Sequence, residues 1–330
     1  MGNKQSPNRV NIGILLLAVW GVVFSFAFGF VMLLTDMDAM IGTGFFQVFG
    51  LGVPFFVYLI VTKQSFRDVL PWKKLSIENA FIIVLLTLST IPMISVLSRV
   101  LSFFFVPVIL DMDIAATPLW LSLLIVGVFP SLFEEFWFRG AMYTEYRAGG
   151  VPVVKTALVT ALFFGLMHMN FQQAIYAGVI GILCAFTVHY TRSFLAPVLG
   201  HFINNGLAVL LSHNEGYSAW HGELWGRPIL YLLVFGAISL LALPVLIFCI
   251  MHLKKYHAAT EPPEMIVDAD AVAADSIDAA DEAPPGDAPA PAQKKPAAFT
   301  WALWLALAIY LFMCLMMEFF LRLEWIMERM

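Results

Sequence analysis

The feature that most constrains this chain is a succession of nine apolar runs, at about 11–33, 44–62, 80–105, 118–147, 153–169, 172–191, 194–212, 228–252 and 299–321. About 20 apolar residues suffice to cross the hydrocarbon of a bilayer, and a helix pairs all of its own backbone polar groups there. Only 12% of the residues are charged and 61% are hydrophobic, against about 25% charged in a soluble domain. Such a chain cannot cover a water-facing surface. The expected fold class is all-α: a polytopic transmembrane helix bundle of about eight core helices plus an appended ninth. Lys4 and Arg9 precede a first run that is too long for a signal-peptide core and lacks a small-residue cleavage site, so it reads as the first membrane helix.

The formal charge of −5 is local. Nine acids and four lysines between Leu253 and Ala298 supply all of it, leaving no basic surface for nucleic acid. Residues 256–298 are rich in Ala, Pro and Asp and nearly free of large apolar side chains, so they cannot offset the entropy of ordering and are expected to form a disordered cytoplasmic tether. Lys63, Arg67, Lys73, Lys74, Arg147, Lys155, Arg192, Lys254 and Lys255 fall on the side of Lys4 and Arg9, and Asp36, Asp38, Asp111, Asp113, Glu215 and Glu223 on the other. The positive-inside rule then makes the N-terminus cytoplasmic. The expected organisation is N-terminal transmembrane helices over 1–114, a core over 115–212, an eighth helix over 213–252, an acidic linker over 253–298 and the last helix over 299–330. Cys184, Cys249 and Cys314 are far apart and read as small core or lipid-facing residues.

Ionisable groups inside apolar helices are costly and by default functional. Here they gather on three runs: Glu134, Glu135 and Arg139 on the fourth, His168 at the end of the fifth, and His201 with Asn204 and Asn205 on the seventh. Counting about 1.5 Å per residue from Arg147, Lys155 and Arg192 puts Glu134, His168 and Asn205 roughly 20 Å deep and His201 roughly 14 Å deep. One layer of the membrane would hold them all. Glu135 and Arg139 are four apart and can pair on one face. Glu134 points about 100° away, free to face His168, which could tune its pKa and help it take a proton from water. His201 and Asn205, also four apart, form a second face whose donors could hold an oxyanion. As bland alternatives, the glutamates are a structural ion cluster with Arg139. His189 reads as interfacial, His213, His221, His252 and His257 as solvated, and Arg99 as snorkelling to the outer interface.

The ordered series Glu-Glu-x-x-x-Arg, Phe-x-x-x-His and His-x-x-x-Asn over residues 115–212 resembles the CAAX protease and bacteriocin-processing enzyme (CPBP) family of intramembrane proteases, whose members include the type II CAAX prenyl endopeptidase. The resemblance implies an endopeptidase in which Glu134 with His168 activates water, His201 and Asn205 stabilise the oxyanion, and Glu135 and Arg139 support the site. Members have been described as metal-dependent, and Glu134, His168 and His201 could hold zinc with one position open for water; a metal-free glutamate mechanism competes, and no cofactor is certain. The expected partners are the membrane, a peptide or protein substrate and, through the ninth helix with its Glu318, a further membrane protein. The expected location is the bacterial inner (cell) membrane. A non-catalytic binding or immunity protein using the same cavity is the first alternative. A proton-coupled transporter is the second, disfavoured by the lack of an inverted repeat.

Overall fold

The computed structural model describes residues 6–106, 114–260 and 300–327. Ten helices carry the fold: α1 Pro7–Thr35, α2 Ala39–Thr62, α3 Ile77–Leu101, α4 Leu119–Ala148, α5 Val153–Leu166, α6 Phe171–Thr191, α7 Leu195–Ser212, α8 Glu215–Trp225, α9 Pro228–Thr260 and α10 Trp301–Met327. Among the described residues eight helices, all but α5 and α8, are long and apolar enough to cross a membrane, and the chain is an all-α integral membrane protein. Its outward faces carry Leu, Ile, Val and Phe with no protein cover, as a surface solvated by lipid requires.

Local chemistry sets the ends. Asp38 caps α2 by accepting from the backbone N–H of Met40 and Ile41, and the Ser76 hydroxyl caps α3 at Asn79. Gly150, at a φ of 78°, turns the chain after α4. The fifth apolar run departs from expectation: α5 has 14 residues, about 21 Å, which is short of the roughly 30 Å hydrocarbon. Its end is set by a turn at 167–170, in which Met169 adopts a φ of 54° and the Asn170 side chain caps α6 at Gln173. α5 and α6 then pack so closely that a Cβ on Gly165 would lie 2.2 Å from the Ala174 carbonyl oxygen.

Two helices contain wide i→i+5 turns. α2 is π-helical over Phe46–Gly52, and α4 is π-helical over Leu123–Val128 and again over Phe136–Met142, with one α-helical stretch, Phe129–Glu135, between them. Such turns are rare and concentrate at functional sites. The end of α4 is anchored in the fold. Arg139 and Glu145 are fully buried, and Glu145 accepts from Tyr58 Oη, Gln64 Nε2 and the backbone N–H of Ser6, so it ties the start of α1 and the end of α2 to α4.

α9 runs to Thr260, past the expected boundary at 252. Lys254, Lys255 and His257 can continue the helix beyond the apolar segment, and cations near a helix C-terminus are favourable. The rest of the expected tether, with Asp111 and Asp113 of the third loop, lies outside the described residues. α10, appended in sequence, is docked in the fold: Ala302, Leu303, Ala306 and Tyr310 are buried in the main core with Val10, Ile14 and Ala18 of α1 and Phe163 of α5. Asn11 Nδ2 donates to Thr300 Oγ1 at 3.1 Å at one end, and at the other Glu318 accepts from Arg322 Nε and the Val106 N–H.

The bland readings divide. All three cysteines are buried and free. Arg99 lies over the rings of Phe103 and Trp225 and donates to Ser102 Oγ. His252 pairs with Glu78 and the His257 ring packs at a tilt against His189, so neither is simply solvated. His221 packs among Tyr217, Trp225 and Tyr231, and burial lowers its pKa.

Candidate active site

The α-helical stretch between the two π segments of α4 ends in Glu134 and Glu135, both buried. Glu135 Oε1 accepts from Arg139 Nη1 at 2.9 Å, the expected i,i+4 pair. The same oxygen also accepts from His201 Nδ1 at 2.9 Å. A carboxylate can only accept, so Nδ1 carries the proton and His201 Nε2 is the free ring nitrogen. That nitrogen faces Glu134, with Oε2 at 4.0 Å. Glu134 Oε1 accepts from Gln47 Nε2 at 3.4 Å.

Phe164 on α5 joins the parts. The Arg139 guanidinium lies 4.3 Å from its centroid, and the rings of His168 and His201 meet it edge-on at 5.5 and 5.7 Å. Arg139 Nη2 donates to the Gly181 carbonyl of α6 at 2.9 Å; a Cβ there would come within 3.1 Å of Nη2. A fully buried guanidinium is thus held by a carboxylate, a carbonyl and an aromatic face, which is what its desolvation demands. His168 is fixed differently. Its Nδ1 lies 3.0 and 3.2 Å from the carbonyls of Phe164 and Gly165, so Nδ1 donates within its own turn and Nε2 is presented outward.

Glu134, Glu135, Arg139 and His201 come together as one buried group, and His168 shares its aromatic neighbour. Two expected groupings are arranged differently. No hydrogen bond or ion pair joins Glu134 to His168 among the described residues; the imidazole nearest Glu134 is His201. Asn205 does not pair with His201 but donates from Nδ2 to the Val126 carbonyl at 3.0 Å and accepts from Asn204 Nδ2 at 3.0 Å. Val126 lies in the first π segment of α4, so Asn205 fastens α7 to α4.

Sequence reasoning missed Gln47. Its signal was available: a single amide in the run Phe45-Phe46-Gln47-Val48-Phe49. Glu134 Oε2 and Glu135 Oε2 are buried without a hydrogen-bond partner among the described residues, and buried oxygens of this kind call for an explanation. As to zinc, no three His, Cys, Asp or Glu side chains among the described residues converge as a ligand set. The Nδ1–Glu135 bond leaves His201 Nε2 open, as a metal-bound imidazole needs, but Glu134 and His168 do not meet, so Glu134, His168 and His201 as placed do not fit a three-ligand metal site.

Residues 116–207 match the family model described as Rce1-like, type II CAAX prenyl endopeptidase Rce1-like. The match encloses all six polar residues of the layer and covers less than a third of the chain. No curated protein and no solved structure matches. Through the segment 116–207, with its buried glutamates and histidines on membrane helices, this chain is similar to the type II CAAX prenyl endopeptidase family, consistent with the CPBP resemblance.

Proposed function

We propose that the protein is an intramembrane endopeptidase in which Glu134 activates the water that attacks a peptide carbonyl. The observation that carries the reading is the buried Glu134 Oε2, which has no donor among the described residues and faces the free nitrogen of an imidazole fixed by a second carboxylate. A carboxylate in such a setting can take a proton at the moment the water oxygen bonds to the carbonyl carbon. The second Nδ2 hydrogen of Asn205 is the donor available to the oxyanion, and the unprotonated Nε2 atoms of His201 and His168 are acceptors that can take up and return a proton. The proton held by Glu134 passes to the leaving amine nitrogen as the C–N bond breaks. Glu135 and Arg139 position His201 without touching substrate. We take 115–212 as the catalytic unit, with the N-terminus cytoplasmic in a cell membrane.

The test is cleavage of quenched fluorescent peptides by the full chain in nanodiscs, with and without chelator. Glu134→Gln is expected to reduce kcat by at least ~100-fold with folding retained, the range in which a positioned general base contributes. His168→Ala should also lose activity, and chelator should have no effect. Full activity in Glu134→Gln would overturn the mechanism. A loss with chelator that added zinc restores would replace it with a metal-assisted one. Absence of cleavage by the folded wild type across the library would favour the binding or immunity alternative.

A further inference from the structure

α1 and α10 run parallel from the Asn11–Thr300 contact. Their first halves pack tightly, but beyond Gly21 no residue of α1 is buried, whereas α10 stays docked through Cys314 and Glu318. The helices therefore part, and between them lies an apolar cleft of about 720 Å³ walled by Val23 and Phe26 on one side and by Phe312, Met313 and Met316 on the other. Its floor includes Met169, the residue after His168, whose side chain reaches over Gly21.

We infer that this cleft is a lateral docking site for an apolar transmembrane segment of the substrate, which it brings to the turn carrying His168. The inference rests on the endopeptidase reading for the word substrate. Three features favour a helix as the occupant. The α10 wall spans Ala308 to Phe320, about 18 Å, more than half of the roughly 30 Å hydrocarbon. Methionines contribute on both the floor and the wall, and their unbranched thioethers adapt to differing side chains. The wall is tied to the fold at both ends, by Thr300 to Asn11 and by Glu318 and Arg322 to Val106 and Phe104, while Met169 of its floor adjoins His168 in the α5–α6 turn. α10 lies outside the family-matched segment, so the recognition is this chain's own addition to the core.

The experiment places p-benzoylphenylalanine at Phe312, in the cleft wall, or at Phe248 on the lipid face of α9; the two positions are 60% and 57% exposed. Both are prepared in the Glu134→Gln full chain, reconstituted in nanodiscs with a biotinylated single-span Leu/Ala peptide of about 20 residues, and irradiated. Cross-linking to the peptide is expected to be at least ~tenfold stronger at position 312, a preference of about 1.4 kcal/mol. Equal yields, or cross-links at 312 to phospholipid alone, would overturn the inference. In the catalytically intact chain, Ala308→Trp should narrow the cleft and lower kcat/KM for a membrane-embedded peptide while sparing a short water-soluble one; equal loss on both would also overturn it. Because cross-linking needs no turnover, the two readings separate. Selective cross-linking with no cleavage by wild type removes the endopeptidase reading and with it the substrate role, whereas cleavage without selectivity removes the cleft alone.

Discussion

His201 on α7 donates from Nδ1 to the same oxygen of Glu135, Oε1, that accepts from Arg139 on α4, each at 2.9 Å. One buried oxygen thus fixes both a cation and an imidazole tautomer. The consequence is directional: His201 Nε2 must face away from Glu135, and what it faces is Glu134. The second glutamate of the pair is therefore the means by which α7 is set in register with α4.

Removing Glu135 should cost stability before it costs chemistry. Glu135→Ala leaves a fully buried Arg139 without its carboxylate, and breaking a buried pair in this way costs about 3–5 kcal/mol. Titration with dodecyl sulfate from mild-detergent micelles should show early unfolding of Glu135→Ala, with Glu134→Gln close to wild type. Equal resistance of Glu135→Ala and wild type would show that the pair does not hold α4.

The α5–α6 turn offers a sharper contrast. A methyl on Gly165 would meet the Ala174 carbonyl oxygen at 2.2 Å, whereas one on Gly178 comes no closer than 3.6 Å to protein, at Ala161 O. Gly165→Ala must push the two backbones apart, an overpacking cost of about 1–3 kcal/mol, and it displaces His168 three residues on. Gly178→Ala should be tolerated. Comparing melting of the two variants by intrinsic fluorescence checks this, and equal behaviour would mean that the close approach is not needed.

What the sequence disclosed and what it hid follow from the range of each interaction. Glu135 with Arg139 was legible because a helix fixes four-residue neighbours whatever surrounds it. That Glu134, His168 and His201 would come from three helices to one neighbourhood was legible because helix rise converts residue counts along each run to comparable heights. Which imidazole meets Glu134 was not, since that depends on the rotation of α7 about its axis, set by Asn205 and Val126 as much as by His201. The π segments of α4 were hidden too: changing the hydrogen-bond register leaves hydrophobicity unaltered, yet it turns Glu134 relative to everything before Val128. Gln47 belongs to the same class, a contact across 87 positions that no local pattern encodes.

Asn205 should prove structural as well as chemical. Asn205→Ala removes the donor to the Val126 carbonyl, and a hydrogen bond in such a part-buried place contributes about 0.5–1.5 kcal/mol. Loss of both melting temperature and cleavage is expected. Unchanged melting with lost cleavage would confine Asn205 to the reaction.

The C-terminal end of α7 should respond to pH through His213, which lies beyond the membrane-spanning stretch. Its Nδ1 is 3.0 Å from the Val209 carbonyl and its Nε2 2.9 Å from the Thr117 carbonyl. Carbonyls only accept, so both contacts are hydrogen bonds only when both nitrogens carry protons, and these two backbone acceptors raise the pKa of His213 above its ordinary value. A raised folded-state pKa gives stability that is fully present below the unfolded value of about 6.5 and is lost as pH rises through the folded one. The tie between α7 and the start of α4 should therefore loosen on going from mildly acid to mildly alkaline buffer. His221 on α8 works in the opposite sense, since burial lowers its pKa and its packing weakens as pH falls. The two are separable by place. Hydrogen exchange over 114–122, corrected for the intrinsic pH dependence, should rise with pH in wild type and in His221→Phe, and lose that dependence in His213→Phe. Persistence of the trend in His213→Phe would assign it to another group.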